Sequence, residues 1–257
     1  MEMDYELFES RVLNMTGIDL NCYKEKQMKR RIDSLIARHG VYNYSDFVDL
    51  IRKDNSVFED FISYLTINVS EFYRNPDQWD YMDKIVFPEL VNKFGSELRI
   101  WSAACSTGDE PYSLVMALSK HVPLNKIKIH ATDIDKQILA KAKVGLYNEK
   151  SIAAVPDEFK TKYFDKIGVS YKIKDVIKER VEFSQHNLLA DSYPKDYHMI
   201  VCRNVLIYFT DEAKDDIFRK YYKTLVKGGF LFIGSTEQIV NYADIGYSRK
   251  NSFFYEK

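Results

Sequence analysis

The feature that most constrains this chain is a change of rhythm near residue 95. Downstream of it, short apolar runs alternate with helical stretches. Leu98–Ala103 leads through a loop of small residues into a helix from about Pro111, and Ile127–Thr132 leads into a helical stretch carrying Ile138, Leu139 and Ala142. Val181–Ser184 is a weaker run, whereas Met199–Cys202 and Phe230–Ile233 are stronger, with a helix over Asp211–Val226 and a turn at Gly228-Gly229 between them. Strands alternating with helices specify βαβ units and a mainly parallel sheet.

Upstream of residue 67 the spacing is helical throughout. Tyr5, Phe8, Val12 and Met15 form one apolar stripe before Gly17, and Met28, Ile32, Leu35 and Ile36 form a second before Gly40. Phe47, Leu50 and Ile51 mark a third helix, and Phe58, Phe61, Ile62 and Leu65 a fourth. The expected organisation is therefore a small all-α domain over 1–67, then a linker and bridging helix over 68–95. Pro76 stands at a first helical position in that second segment. A Rossmann-like α/β domain over 96–257 follows. Within it, Val169–Ile173 and Val176–Val181 alternate as a hairpin would, which predicts a small inserted β-subdomain near 160–182.

A formal charge of -1 gives no general attraction to nucleic acid. Cys22, Cys105 and Cys202 are far apart with no C-x-x-C pair, so they read as small apolar side chains rather than disulfides or zinc ligands. No apolar stretch is long enough to span a membrane, and the first ten residues are acidic without an apolar core. A cytoplasmic protein is expected.

The first strand-loop-helix, L-R-I-W-S-A-A-C-S-T-G-D-E-P-Y-S-L-V-M at 98–116, places small residues where a nucleotide-like ligand binds in a doubly wound sheet. Only Gly108 of a G-x-G-x-x-G pattern is present, and Asp109 and Glu110 stand at the helix N-terminus, where they would repel a phosphate. This disfavours a dinucleotide cofactor. It suits a ligand with a cationic portion and no phosphate, such as S-adenosylmethionine with its sulfonium and ammonium groups. At the tip of the second strand, Asp133 is placed to accept from both ribose hydroxyls, while Asp135 is placed to N-cap the next helix; either acid could serve only as a cap. Asn187 could read an adenine edge, and Asn204 could meet the ligand's amino-acid end.

Five segments occur in order: T-I-N-V-S-E-F-Y-R-N at 66–75, S-T-G-D-E-P-Y-S at 106–113, A-T-D-I-D at 131–135, H-N-L-L at 186–189 and C-R-N-V-L-I-Y-F at 202–209. Together, behind a helical N-terminal domain, they resemble the chemotaxis receptor methyltransferases, the CheR-type protein-glutamate O-methyltransferases. The resemblance covers nearly the whole chain. It implies transfer of a methyl group from S-adenosylmethionine to a glutamate side chain of a chemoreceptor, leaving S-adenosylhomocysteine. It also implies cofactor contacts from Asn68, Ser70, Arg74, Glu110, Asp133, Asn187, Leu188, Asn204 and Val205, and puts Arg74, Arg203 and Tyr208 at the reaction centre.

A glutamate carboxylate is ionised at neutral pH, so this reaction calls for neither a general base nor a metal. The implied partner is the cytoplasmic helical bundle of a methyl-accepting receptor, and a monomer is expected. The acidic bundle would need a basic surface, which K-E-K-Q-M-K-R-R at 24–31 offers. Lys26, Arg30 and Arg38 fall opposite the apolar stripe of the second helix, with Arg31 at its flank. Members of the family that dock on a receptor tether carry a Gly-rich loop in the β-subdomain. This chain has only Gly168 there, so tether-independent docking is expected. A methyltransferase acting on RNA or a small molecule is the rival reading, but no N-P-P-Y-like or D-P-P-Y-like segment follows Cys202. A catalytically silent adaptor would be expected to lack Arg74, Asp133 or Tyr208, and all three are present.

Overall fold

The computed structural model describes residues 4–257. The N-terminal part consists of α1 (Tyr5–Thr16), α2 (Glu25–Arg38), α3 (Tyr44–Lys53) and α4 (Asn55–Thr66). Side chains of Asp4, Asn43 and Asp54 accept from the first free amides of α1, α3 and α4, which is why those helices begin where they do. Phe8, Val12, Met28, Ile32, Leu35, Phe47, Phe61 and Leu65 close into one apolar core, so the four stripes seen in sequence face one another.

Next come α5 (Pro76–Tyr81), a π-helical turn over Met82–Val86 and α6 (Phe87–Phe94). Their buried residues, Trp79, Met82, Val86, Phe87 and Leu90, join the core of the sheet. This segment therefore packs as a layer of the α/β part rather than spanning a gap between two bodies.

The α/β part runs β1 (Arg99–Ser102), α7 (Asp109–Leu118), β2 (Lys128–Asp133), α8 (Lys136–Val144), β3 (Leu146–Asn148), α9 (Asp157–Tyr163), β4 (Phe164–Ile167), β5 (Ser170–Ile173), α10 (Asp175–Lys178) and β6 (Val181–Gln185). It continues with β7 (Tyr197–Cys202), α11 (Asp211–Thr224), β8 (Leu225–Ile233), α12 (Tyr242–Ile245), β9 (Ser248–Arg249) and β10 (Phe254–Glu256). The main sheet has the order β6-β2-β1-β7-β8-β10-β9, parallel from β6 to β8, with β10 antiparallel beside β8. Successive residues point to opposite faces. Ile100, Met199, Val201, Phe230 and Phe232 join the core under α5 to α7, and Trp101, Ile200, Cys202, Leu231 and Ile233 join the one under α11. Among the described residues no helix is long and apolar enough to cross a membrane.

Three expectations change. The inserted β-subdomain is a three-stranded sheet, β3-β5-β4, whose hairpin joins 164–167 to 170–173. The alternation over Val176–Val181 is not its second arm, because Asp175 opens the short α10 and Ile177 is buried in the core. So short an apolar pattern does not separate a helical turn from a strand. Gly228-Gly229 is not a turn ahead of the last strand but a bulge inside β8, where the pairing with β7 shifts register between Tyr197 and Met199.

Candidate active site

The strand order changes direction at β1, with β2 on one side and β7 on the other while all three strands run parallel, and in such sheets the crevice at the carboxyl ends of the strands takes the ligand. A narrow cleft, open to solvent, lies there. Asn68, Asp133, Asn187, Leu188, Arg203, Asn204, Val205 and Tyr208 all line it. Four loops from distant parts of the sequence thus converge on one space.

Backbone strain is concentrated around this space. Six non-glycine residues among those described have positive φ, and five of them (Ile67, Tyr73, Asn75, Ser106 and Asn204) lie on the segments that meet at the cleft. Such conformations cost of order 1–3 kcal/mol each and persist where surrounding contacts over-determine them. The contacts are visible. Asp135 caps α8 by accepting from the amides of Gln137 and Ile138, and its other oxygen accepts from Asn68 Nδ2 at 2.8 Å. The segment linking helical and α/β parts is thereby latched to the tip of β2.

The loop after β1 approaches that tip closely. Gly108 has φ 89°, and a Cβ there would lie 3.0 Å from both Ala142 and Tyr112, so glycine lets α7 start against α8. The Ser106 amide donates to Asp133 Oδ2 at 2.9 Å, and the Asp135 amide donates to Oδ1 at 3.1 Å. Each oxygen keeps a further lone pair for a ligand hydroxyl. Burial pushes the Asp133 carboxyl up to about 6, against the pull of those amides.

Ser70, Arg74 and Glu110 stand behind the lining rather than in it. The Ser70 hydroxyl faces Asp109, whose carboxyl burial pushes up to about 6. Glu110 accepts from Ser102 Oγ at 2.8 Å and lies 3.8 Å from Arg203 Nη1. Burial raises its carboxyl, offset in part by the Arg203 guanidinium. Arg203 is itself only 8% exposed. Its Nη2 donates to the Arg74 carbonyl at 2.8 Å, to Asn75 Oδ1 at 3.1 Å and to Gln78 Oε1 at 2.8 Å. These bonds tie the loop after β7 to the segment before α5.

Asn187 is committed elsewhere. Its carboxamide donates to the Gly17 carbonyl at 3.0 Å and accepts from the Leu189 amide at 2.9 Å, which docks the loop on the helical domain. The backbone N–H of Leu188 has no acceptor among the described residues. A second docking strip joins the Lys24 amide to the Tyr208 carbonyl and the Thr210 amide to the Cys22 carbonyl, both at 2.9 Å. It brings Tyr23 into the cleft lining and sets the start of α2 beside Tyr208.

The four basic residues of α2 divide. Lys26 and Arg30 are exposed, whereas Arg31 donates to the Tyr64 carbonyl and Arg38 donates to Asp60 at 2.7 Å. Glu237 is a residue that the sequence does not reveal. Its buried carboxylate holds three backbone amides around the loop after β7. The histidines make local contacts: His39 with Asp60, His121 with Asp83, and His130 with Ser184 and Tyr197.

S-adenosylmethionine fits these residues. Among the described residues Arg203 is the one cation in the lining, with its Nη2 already engaged, so a phosphate has little to pair with. Asp133 offers acceptors, and Ser106 Oγ and Asn204 Oδ1 are buried without partners.

Comparison with known proteins agrees. Residues 3–66 match the family described as CheR methyltransferase, all-alpha domain, and residues 68–252 match CheR methyltransferase, SAM binding domain. The chain is 42% identical to the chemotaxis protein methyltransferase of Listeria monocytogenes, over all of this chain and 98% of that protein. It is 35% identical to chemotaxis protein methyltransferase 1 of Pseudomonas aeruginosa, over 94% of this chain and 92% of the other. The chemotaxis protein methyltransferase of Borreliella burgdorferi is 31% identical, over 92% of this chain and 88% of the other. The chain belongs to the CheR family of S-adenosylmethionine-dependent chemotaxis methyltransferases.

Proposed function

We propose that the chain methylates side-chain carboxylates of glutamates on the cytoplasmic helical bundle of chemoreceptors, acting as a monomer without a receptor tether. The observation that carries this reading is the position of Tyr208. Its half-buried ring shares the cleft with Asp133 and Asn204, its hydroxyl has no partner among the described residues, and its backbone pairs with the residue that precedes α2. A methyl donor and an incoming side chain would meet there, next to the basic helix α2.

The bound cofactor supplies an electrophilic methyl group on a sulfonium. Asp133 holds the ribose hydroxyls, and the Leu188 amide, in place of the Asn187 side chain, meets the adenine. Asn204 and Val205 hold the amino-acid end, with Asn68, Ser70 and Glu110 shaping the walls behind. Arg74 balances the buried acids near the cofactor carboxylate, and Arg203 braces the loop. Tyr208 donates one hydrogen bond to the substrate carboxylate and leaves its other oxygen free to attack. Rate comes mainly from proximity and alignment, effects worth up to about 7–11 kcal/mol. Lys26 and Arg30 meet the acidic receptor surface, and Arg31 and Arg38 hold α2 against α4.

The test is incubation with methyl-labelled S-adenosylmethionine and a cytoplasmic receptor fragment, followed by mild base. Label released as methanol is the expected result. Base-stable label, or label found only on added RNA or small molecules, would overturn the substrate assignment and leave the family intact.

A further inference from the structure

We propose that Glu237 is a positioning residue for the cofactor-facing loop after β7, acting through Asn204. The inference rests on the reading that Asn204 holds the amino-acid end of the cofactor.

Glu237 lies four residues past the end of β8 and turns back towards β7. Its Oε2 accepts from the amides of Gly234 at 2.7 Å and Asn204 at 3.0 Å, and its Oε1 accepts from the amide of Leu206 at 2.8 Å. The residue is 8% exposed, so these bonds form where water competes weakly. A carboxylate is an acceptor only, and three converging donors are what stabilise one in such a place.

The loop it holds is under strain. Asn204 sits at φ 60°, in the left-handed region, and its Oδ1 is buried without a partner. Neither feature is favourable for Asn204 by itself. Both are explained if the loop is pinned so that the carboxamide faces a ligand. The pin is tight: a Cβ on Gly234 would lie 2.7 Å from Glu237 Oε2 and 2.8 Å from the Asn204 nitrogen. Glycine at 234 is what allows β8, Glu237 and the loop to close on one another. Arg203 fixes the loop from the other side by its bonds to residues 74, 75 and 78. Glu237 and Arg203 thus clamp the short stretch that leads to Tyr208.

Glutamine at 237 keeps the shape but places an amide NH2 group against at least one backbone N–H, so the clamp loosens. The test measures the affinity of S-adenosylhomocysteine by calorimetry on wild type, Glu237→Gln, Asn204→Ala and the double variant. Thermal melts first establish that each is folded at the assay temperature. Each single change is expected to weaken binding about tenfold, and the double change about tenfold as well, because both act on one contact. A merely structural Glu237 would lower the melting temperature without this non-additivity.

Glu237→Gln binding within twofold of wild type, with Asn204→Ala weakened, overturns the proposal and leaves the cofactor reading in place. A double variant weakened near a hundredfold shows two independent effects and also overturns it. Asn204→Ala binding like wild type sinks the reading of Asn204 and the proposal together. Should Glu237→Gln not fold, Glu237→Asp, which keeps the charge and loses a methylene of reach, is read in the same way.

Discussion

The cleft and the basic face of α2 both carry charged side chains, and they hold them in opposite ways. At the cleft, Asp133, Arg203 and Glu237 are buried and Glu110 is largely covered, and they are bonded to backbone amides, carbonyls and one another. On α2, Lys26 and Arg30 stand in solvent with no ion-pair partner among the described residues. Buried charges of the first kind are fixed in one geometry and expensive to disturb; exposed charges of the second kind are adaptable, screened by salt and individually weak. The cleft is built to hold one small molecule the same way each time. The face of α2 is built to meet a surface.

That contrast sets a scale of effects. Arg203→Ala should be the most damaging, because it strips Glu110 of its compensating charge and frees three acceptors. A loss of about 3–5 kcal/mol is expected, seen in a thermal melt as a fall on the order of 10 °C. A small effect would mean that the cleft is looser than its contacts suggest. Asp133→Asn should weaken S-adenosylhomocysteine binding on the order of a hundredfold, from the loss of charge-assisted bonds to the ribose, as read by calorimetry. Tyr208→Phe should lower turnover about tenfold, equivalent to one hydrogen bond, with cofactor affinity unchanged. Unaltered turnover would remove Tyr208 from the reaction centre.

Acid provides a subtler probe. The Asp133 carboxyl titrates at about 6 in the fold, above its value in the unfolded chain. As pH falls through about 6, Asp133 takes up a proton and cofactor affinity should drop, approaching tenfold per pH unit. Asp133→Asn should flatten that slope. Stability of the free protein should respond in the opposite sense. Between the unfolded value near 4 and the folded value near 6, the native state binds protons that the unfolded chain has released. The contribution of Asp133 to stability is therefore present at low pH and lost as pH rises through this window.

Much of this was legible in sequence, for reasons that differ along the chain. The four helices announce themselves by stripes such as Met28, Ile32, Leu35 and Ile36, and the central strands by apolar runs whose residues alternate between the two cores. The edge strands 248–249 and 254–256 do not, because two or three residues carry no period and their pairing is set by β8 far back in the chain. At the cleft, Asp133 and Asn204 are recognisable because they follow strands at positions where ligands bind. Glu237 is not, because its role depends on amides thirty residues away that no local pattern shows. Helical geometry puts Arg38 on the polar face of α2, but not that Asp60 of α4 is waiting for it.

The smallest effect belongs to α2. A Lys26→Glu, Arg30→Glu double variant should lower the rate of receptor methylation only several-fold at low salt, as exposed pairs of about 0.2–1 kcal/mol each allow. The division of labour between cleft and helix is tested most directly by measuring two quantities on that variant, cofactor affinity by calorimetry and base-labile label on a receptor fragment at low and high salt. Unchanged affinity with slower methylation that converges on wild type at high salt is the predicted result. Equal loss of both, or no loss of either, would contradict it.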